Sequence, residues 1–359
     1  MENELSKALA ESFSMKGGEG PSSYAQNSSI QREKIEAAKM FLQDAIAKKL
    51  DPNALSANQI CIADLGCSTG TNAFIAVQYI IEAVESQYHS QGLAVPEFQV
   101  FFNDLVLNDF NTLFRNLPPE RTYFAAGIPG SFYGRLFPNK TLHVVHSSST
   151  LGWISEIPRE ITNRNSVAYN KGRIHVGDAP KEVVDAYATQ YQLDMETFLN
   201  ARAQELVAGG LMLLQIPCEA DAMLDSEISR TKFFELLGSC LADMAKEGIF
   251  GEEDLDSFNL PLYFPPLKNL EEILEGNGDF SVEGKEIYPE ISLIAPNNVK
   301  MGASHCRATL EVLIEKHFGD GIVDDLFQRY VRKVMEFAEV MKVQKFKSLV
   351  LFVLLNRKP

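Results

Sequence analysis

Tryptophan occurs once in these 359 residues, and the five cysteines (Cys61, Cys67, Cys218, Cys240 and Cys306) are scattered, odd in number and free of any CxxC or Cys/His ligand spacing. That pattern excludes a disulfide framework and a structural zinc, and it implies a reducing compartment. Positive charge is also short, with 33 Lys and Arg against 48 Asp and Glu, a formal charge of −15. A field of that sign repels phosphate backbones and anionic bilayers, so no nucleic acid and no membrane is expected as a partner, whereas small neutral or locally guided anionic molecules remain open. No apolar run approaches the ~20 residues that span a bilayer. The N-terminal stretch carries Glu2, Glu4, Lys7, Glu11 and Lys16 and lacks a secretory h-region. A cytoplasmic protein is the expectation.

What is present is 45% apolar, enough for a large core in one α/β domain with insertions or in two domains. A Gly/Ser/Asn-rich loop at 14–31 precedes a helix marked by Ile35, Ala38, Phe41, Leu42 and Ile46. The run Gln59–Asp64 is apolar on both faces, as a central parallel strand is, and Ala73–Val84 follows with helical spacing. Short strands are predicted at 98–102, 123–127 and 141–146, helices at 109–117 and 183–207, the second stopped by Gly209-Gly210, and a strand at 211–216. This alternation predicts a doubly wound α/β sheet. Residues 222–277, mostly helical and interrupted by the Pro-rich 259–266, read as an inserted cap. Strands at 280–287 and 349–355 then return to the sheet around helices at 308–317 and 321–339. The expected organisation is one integrated unit: 1–50 closing over the site, 51–221 and 278–359 as the α/β core, and 222–277 as the cap.

The strongest chemical signal is Asp64-Leu-Gly-Cys-Ser-Thr-Gly70, where a buried strand gives way to a helix. Gly66 and Gly70 permit a tight turn close to a ligand, and the helix N-terminus supplies unpaired N–H groups. Taken alone, such a glycine pair serves a bare turn equally well. Asp104 at the end of the next strand can accept from both hydroxyls of a ribose. Its distance from Gly66 exceeds the ~20 residues of a dinucleotide unit, so a nucleotide remains open, but neither GxGxxG nor GxxxxGK[ST] is present to hold phosphates. The histidines at 143, 146 and 175 lie in or near strands beside this turn, and a serine hydrolase is not the expectation.

The blocks SMKGGEGPSSYAQNS (14–28), IADLGCSTGTN (62–72), FFNDLVLNDFNTLF (101–114), GIPGSFYGRLFP (127–138), HSSSTLGWISEIP (146–158), YNKGRI (169–174), ARAQELVAGG (201–210) and DSFNLP (256–261) follow one another along the chain. In that order they resemble the SABATH family of plant methyltransferases, and nearest in look are its loganic acid and salicylic acid types. The resemblance covers essentially the whole chain. It implies a class I methyltransferase fold with a helical cap, S-adenosylmethionine (SAM) as methyl donor, a small carboxylic acid as acceptor and a homodimer. Position by position it implies that Asp64, Gly66 and Cys67 form the cofactor turn and that Tyr24 and Asn72 approach the methionine end. Asp104 would hold the ribose, with Leu105, Ser131 and Phe132 around the adenine.

The family holds the acceptor carboxylate through a Gln and a Trp, which here are Gln31 and Trp153. Because that carboxylate is ionised at neutral pH, transfer needs positioning and desolvation and no catalytic base. Tyr263 in the cap is a further implied substrate contact, and Leu151 a weaker one. Two positions depart from the family: Ser149 stands where a Tyr is common and Gly152 where His or Met is. Losing both large side chains predicts a roomier pocket and an acceptor larger than salicylate. In some members a divalent ion, Mg2+, is associated with residues matching Asn170, Asp256, the Phe258 backbone and Asn259; a loosely bound hard cation of this kind is not expected to be catalytic. Two alternatives stay open, an N-methyltransferase acting on a purine or pyridine ring, and a cofactor-binding protein with little or no activity.

Overall fold

A computed structural model describes residues 14–55, 58–221, 227–290, 297–340, 345–346 and 348–359. Its centre is a seven-stranded sheet made of β1 (Gln59–Leu65), β2 (Glu97–Asp104), β3 (Tyr123–Pro129), β4 (Leu142–Ser148), β5 (Leu206–Glu219), β6 (Phe280–Pro289) and β7 (Ser348–Arg357) in the order β3-β2-β1-β4-β5-β7-β6. β1 pairs in parallel with both β2 and β4, β3 with β2, and β5 with β4, whereas β7 runs antiparallel between β5 and β6. The strand order reverses between β1 and β4, and such a switch point opens a crevice at the C-terminal strand ends.

Each face of the sheet buries its own side chains because successive residues of a strand point to opposite sides. Ile60, Ile62, Val100 and Val144 pack against α1 (Ser29–Lys49) and α2 (Thr71–Ser90), which contribute Leu42, Ile46, Val77, Ile80 and Val84. Ala63, Leu65, Val145, Met212 and Leu214 pack instead against α3 (Lys181–Glu205). A third apolar cluster joins α4 (Thr231–Lys246), α7 (Val299–Phe318) and α8 (Val323–Val340), with α5 (Glu252–Ser257) beside them. In α4, Leu237, Leu241 and Met244 recur at helical spacing and are fully buried there, each stabilising the fold by about 1.5–3 kcal/mol. α6 (Leu267–Gly276) returns to the sheet face through Leu270 and Leu274.

Three sequence-based expectations change in detail. β5 begins at Leu206, and Gly209-Gly210 lie at a break in its register with β4, between the pairs Leu142↔Leu206 and Val144↔Leu211, so this glycine pair marks a bulge inside a strand. The helix expected from residue 308 begins at Val299. α7 and α8, placed by sequence with the sheet, share their apolar cluster with α4 of the cap. Residues 1–13 of the expected N-terminal segment and 222–226 of the expected cap lie outside the described residues.

Candidate active site

The turn after β1 is built by backbone constraints. Gly66 has φ +83°, and a Cβ there would come within 2.2 Å of Thr150 Cγ2, so two loops approach where only glycine fits. The N–H groups of Gly66 and Cys67 both donate to Asn103 O at 2.9 Å, locking the turn to the end of β2. The Asn103 amide in turn donates to Ile128 O (2.8 Å) and Gly130 O (2.9 Å), which carries the order across to the loop after β3. Asp104 accepts from Ser68 N at 2.7 Å and Leu105 N at 2.8 Å. Burial raises its carboxyl to about 6 against the opposing pull of these two hydrogen bonds.

The loop after β3 is held from behind. Arg202 and Glu205 form a fully buried pair at 2.8 Å near the end of α3. Arg202 donates onward to Phe132 O (2.7 Å) and Gly134 O (2.8 Å), and Glu205 accepts from Leu136 N (2.5 Å) and Phe137 N (3.0 Å). Ser131 and Phe132 are thereby presented to a cavity of about 590 Å³, which is also bordered by Tyr24, Gln31, Asp104, Leu105, Ser149 and Trp153. Burial, with the Asp104 charge nearby, pushes the Tyr24 phenol far up, so it stays neutral.

Behind the glycine turn, Asp64 pairs with His146 Nδ1 at 2.5 Å, and Cys67 is buried with its thiol pushed well up. Asn72 donates to Ser28 O and Ser28 Oγ at 3.0 Å and accepts from Arg32 at 3.4 Å, so its amide staples α2 to the start of α1. Asp64, Cys67 and Asn72 border a smaller neighbouring recess that Tyr24 and Gly66 share with the main cavity.

Where α1 borders the cavity, Gln31 Nε2 lies 3.1 Å from His305 Nε2, and His305 Nδ1 lies 3.0 Å from Asn27 O. A carbonyl only accepts, so Nδ1 carries the proton and Nε2 accepts from the Gln31 amide. Burial lowers His305 to about 4, which keeps the ring neutral. Gln31 Oε1 and Ser149 Oγ are buried without a protein partner. Trp153 is set by a bridge to Leu262 and by its own carbonyl, which accepts from Tyr133 Oη at 2.5 Å.

Two assignments are corrected. Tyr263 does not border the cavity; it stacks on Tyr187 and packs against Tyr191 in the core below the sheet. The extended segment alternates sides, and pairing of Leu262 with Trp153 turns Leu262 and Phe264 to the cavity. Gly152 borders the cavity as expected but does not open space, because a Cβ there would meet the Phe264 ring at 2.8 Å. The ring occupies the volume of a side chain there, and Ser149 is the other departure that borders the cavity. Residues missed by sequence reading are Lys34, Arg230, Phe233, Phe234, Glu290 and His305, all bordering the cavity. Lys34 lies one helical turn from Gln31, a signal that was available; Arg230 and Glu290 carry none locally.

The residues matched to a divalent ion lie away from the cavity lining. Asn170 donates to Asn259 Oδ1 at 2.8 Å, Asp256 accepts from Tyr169 Oη and Gly172 N at 2.8 Å each, and Phe258 is packed against Phe318. Among the described residues no group of three His, Cys, Asp or Glu side chains can hold a metal. With Asp256 holding two protein donors and Asn170 bonded to Asn259, this set works as a staple between two loops, and Asn170 Oδ1 is left buried without a protein partner.

The sheet order, the glycine turn and the acid at the end of β2 define a class I methyltransferase. The chain belongs to the SAM-dependent carboxyl methyltransferases, whose family model matches residues 10–358. It is 45% identical to loganic acid O-methyltransferase of Catharanthus roseus over 97% of this chain and 95% of that one. Identity to farnesoic acid carboxyl-O-methyltransferase of Arabidopsis thaliana is 41% over 91% of this chain and 94% of that one. The solved structure of a loganic acid methyltransferase with SAH superposes with a TM-score of 0.91 at 45% identity, covering 96% of this chain and 99% of that one. The protein is a SAM-dependent enzyme that methylates a carboxylate of a plant metabolite, and no described helix is long and apolar enough to cross a membrane.

Proposed function

We propose that Gln31 and Trp153 position the carboxylate of an acid larger than salicylate while Asp104, Ser131 and Phe132 hold the cofactor. The observation that carries this reading is a single cavity bordered by both sets of residues. SAM supplies an electrophilic methyl group; this chain's residues bind, orient and exclude water. Asp104 accepts from the ribose hydroxyls, and Leu105 and Phe132 flank the adenine. Gln31, fixed by His305, and the Trp153 indole aim one carboxylate oxygen at the methyl carbon, where removal from bulk water sharpens its nucleophilicity. No side chain needs to take a proton. In the same reading α4–α6 and the segment before α1 form a cap, and the enzyme is a cytoplasmic homodimer needing no divalent ion.

Labelled methyl transfer across a panel of acids tests it. Base-labile methanol from the product identifies an ester and separates it from an N-methyl ring. Turnover of benzoate or salicylate in preference to every larger acid overturns the size argument, and a base-stable methyl product overturns the assigned acceptor atom. Sedimentation with and without EDTA tests the dimer and the cation.

A further inference from the structure

A buried cluster of charge borders the cavity and takes no part in the assignments above. Glu290, at the end of β6, pairs with Lys34 of α1 and with Arg230 at the start of α4; their side chains are 5%, 12% and 7% exposed. Arg230 donates from Nε to Glu290 Oε2 at 2.8 Å and from Nη2 to the same oxygen. Ser348 pins both backbones, accepting from Arg230 N at 2.9 Å and from Glu290 N at 2.8 Å. The guanidinium lies 4.2 Å from the centre of the Phe264 ring. Its remaining nitrogen, Nη1, is buried and has no partner in the protein.

Lys34 and Arg230 share one carboxylate here: burial lowers the Lys34 amine against the pull of Glu290, and Glu290 is held ionised, down at about 2, by Arg230 and Lys34 against the opposing cost of burial. Glu219, the next nearest acid, is raised by burial to about 7, so near neutral pH it is partly protonated and adds less than a full negative charge. Arg is donor-only, and a hydrocarbon placed beside Nη1 would leave its N–H groups without a partner. The cluster also stands close to the reacting end. Lys34 is three residues beyond Gln31, on the same helix face, about 5–6 Å away between Cβ atoms.

We propose that Arg230 recognises an oxygen of the acceptor other than those of the methylated carboxylate, so that the enzyme selects acids carrying a hydroxyl or carbonyl group several carbons from the carboxyl over plain hydrocarbon acids. The proposal rests on the carboxyl-methylation reading above. Arg230 is then a specificity residue, oriented by Glu290 and Lys34, and the position of the oxygen along the acceptor is set by the span from Gln31 to the cluster.

The test compares octanoic acid with its 6-, 7- and 8-hydroxy and 6- and 7-oxo derivatives, using labelled SAM. In the wild type at least one oxygenated acid is expected to exceed octanoic acid in kcat/KM by about tenfold, the scale of one hydrogen bond to a charged group. In Arg230→Met that ratio is expected to fall to within about twofold while SAM affinity by calorimetry is unchanged. The triple variant Lys34→Met, Arg230→Met and Glu290→Met removes the cluster without leaving a buried lone charge and is expected to give the same collapse if the single variant folds poorly. Wild-type preference for octanoic acid, or a ratio that survives in both variants, overturns the proposal and leaves carboxyl methylation standing. If SAM binds but no acid in the series yields an ester while another acid of the wider panel does, the inference is overturned and carboxyl methylation stands; a base-stable methyl product overturns both.

Discussion

Two buried arginine–glutamate pairs lie on either side of the cavity, and they are finished differently. In Arg202–Glu205, all three guanidinium nitrogens donate, to Glu205, Phe132 O and Gly134 O, and Glu205 accepts two backbone N–H groups besides. In Arg230–Glu290 two nitrogens are used and Nη1 is left over. A buried pair repays its desolvation only when the remaining donors and acceptors are matched. The first pair is complete within the protein and holds the loop after β3, which in the proposed reading flanks the adenine. The second is incomplete and borders the cavity, where in the proposed reading the acceptor binds.

The largest expected effect falls on the completed pair. Arg202→Met strands a buried carboxylate and two carbonyls, and should lower unfolding free energy by about 3–5 kcal/mol. Arg230→Met should cost much less, because Lys34 still faces Glu290. Equal losses in denaturant unfolding would erase the distinction between a structural and a recognition pair.

Asp104 is an intermediate case, since both of its oxygens accept backbone N–H groups while the residue borders the cavity. Asp104→Ala removes two charge-assisted bonds to the ribose, about 1.5–3 kcal/mol each, so calorimetry should find SAM affinity weakened at least a hundredfold. Unchanged affinity would place the ribose elsewhere. The same carboxyl, raised to about 6, has Tyr24, Cys67 and Asp64 as titratable neighbours, of which Tyr24 and Cys67 are pushed upward and stay neutral. Its raised value means the folded apo chain favours the protonated acid. The stability it contributes is present below the unfolded value and lost as pH rises through about 6. SAM binding needs the ionised form, so affinity should be flat above pH 7 and fall toward tenfold per unit below about 6. A profile flat to pH 5 would break that link.

Much of this was legible in the chain because the signals were local. The run Gln59–Asp64, the Gly66/Gly70 pair and the acid at Asp104 each express one element's own geometry, and all appear where expected. Parity and long-range pairing were not legible. Leu262-Tyr263-Phe264 is apolar throughout, and only the bridge to Trp153 decides which members face the cavity. Gly152 looked like lost volume because nothing near it in sequence announces the Phe264 ring that fills the space. Arg230 and Glu290 are sixty residues apart, each an ordinary surface residue until the fold joins them.

The smallest effect tests the same contrast at a neutral pair. Gln31 is oriented by a ring nitrogen rather than by backbone, with His305 Nδ1–H committed to Asn27 O and Nε2 accepting from the amide. His305→Leu deletes two neutral hydrogen bonds, to Asn27 O and to the Gln31 amide; the second, worth about 0.5–1.5 kcal/mol, is the one that bears on the acid, and its loss frees the amide to rotate. The expected loss is about two- to tenfold in kcat/KM for the acid at constant SAM affinity. Because His305 sits at about 4, the wild-type rate should show no His305 inflection between pH 5.5 and 8, so the variant and wild-type profiles should run parallel. A change in SAM affinity would assign His305 to closing the N-terminal segment over the cofactor, and an unchanged kcat/KM would mean that Gln31 is held without it. A parallel loss confined to the acid would make His305 a positioning residue, and would show that the acceptor half owes its geometry to side chains where the cofactor half uses the main chain.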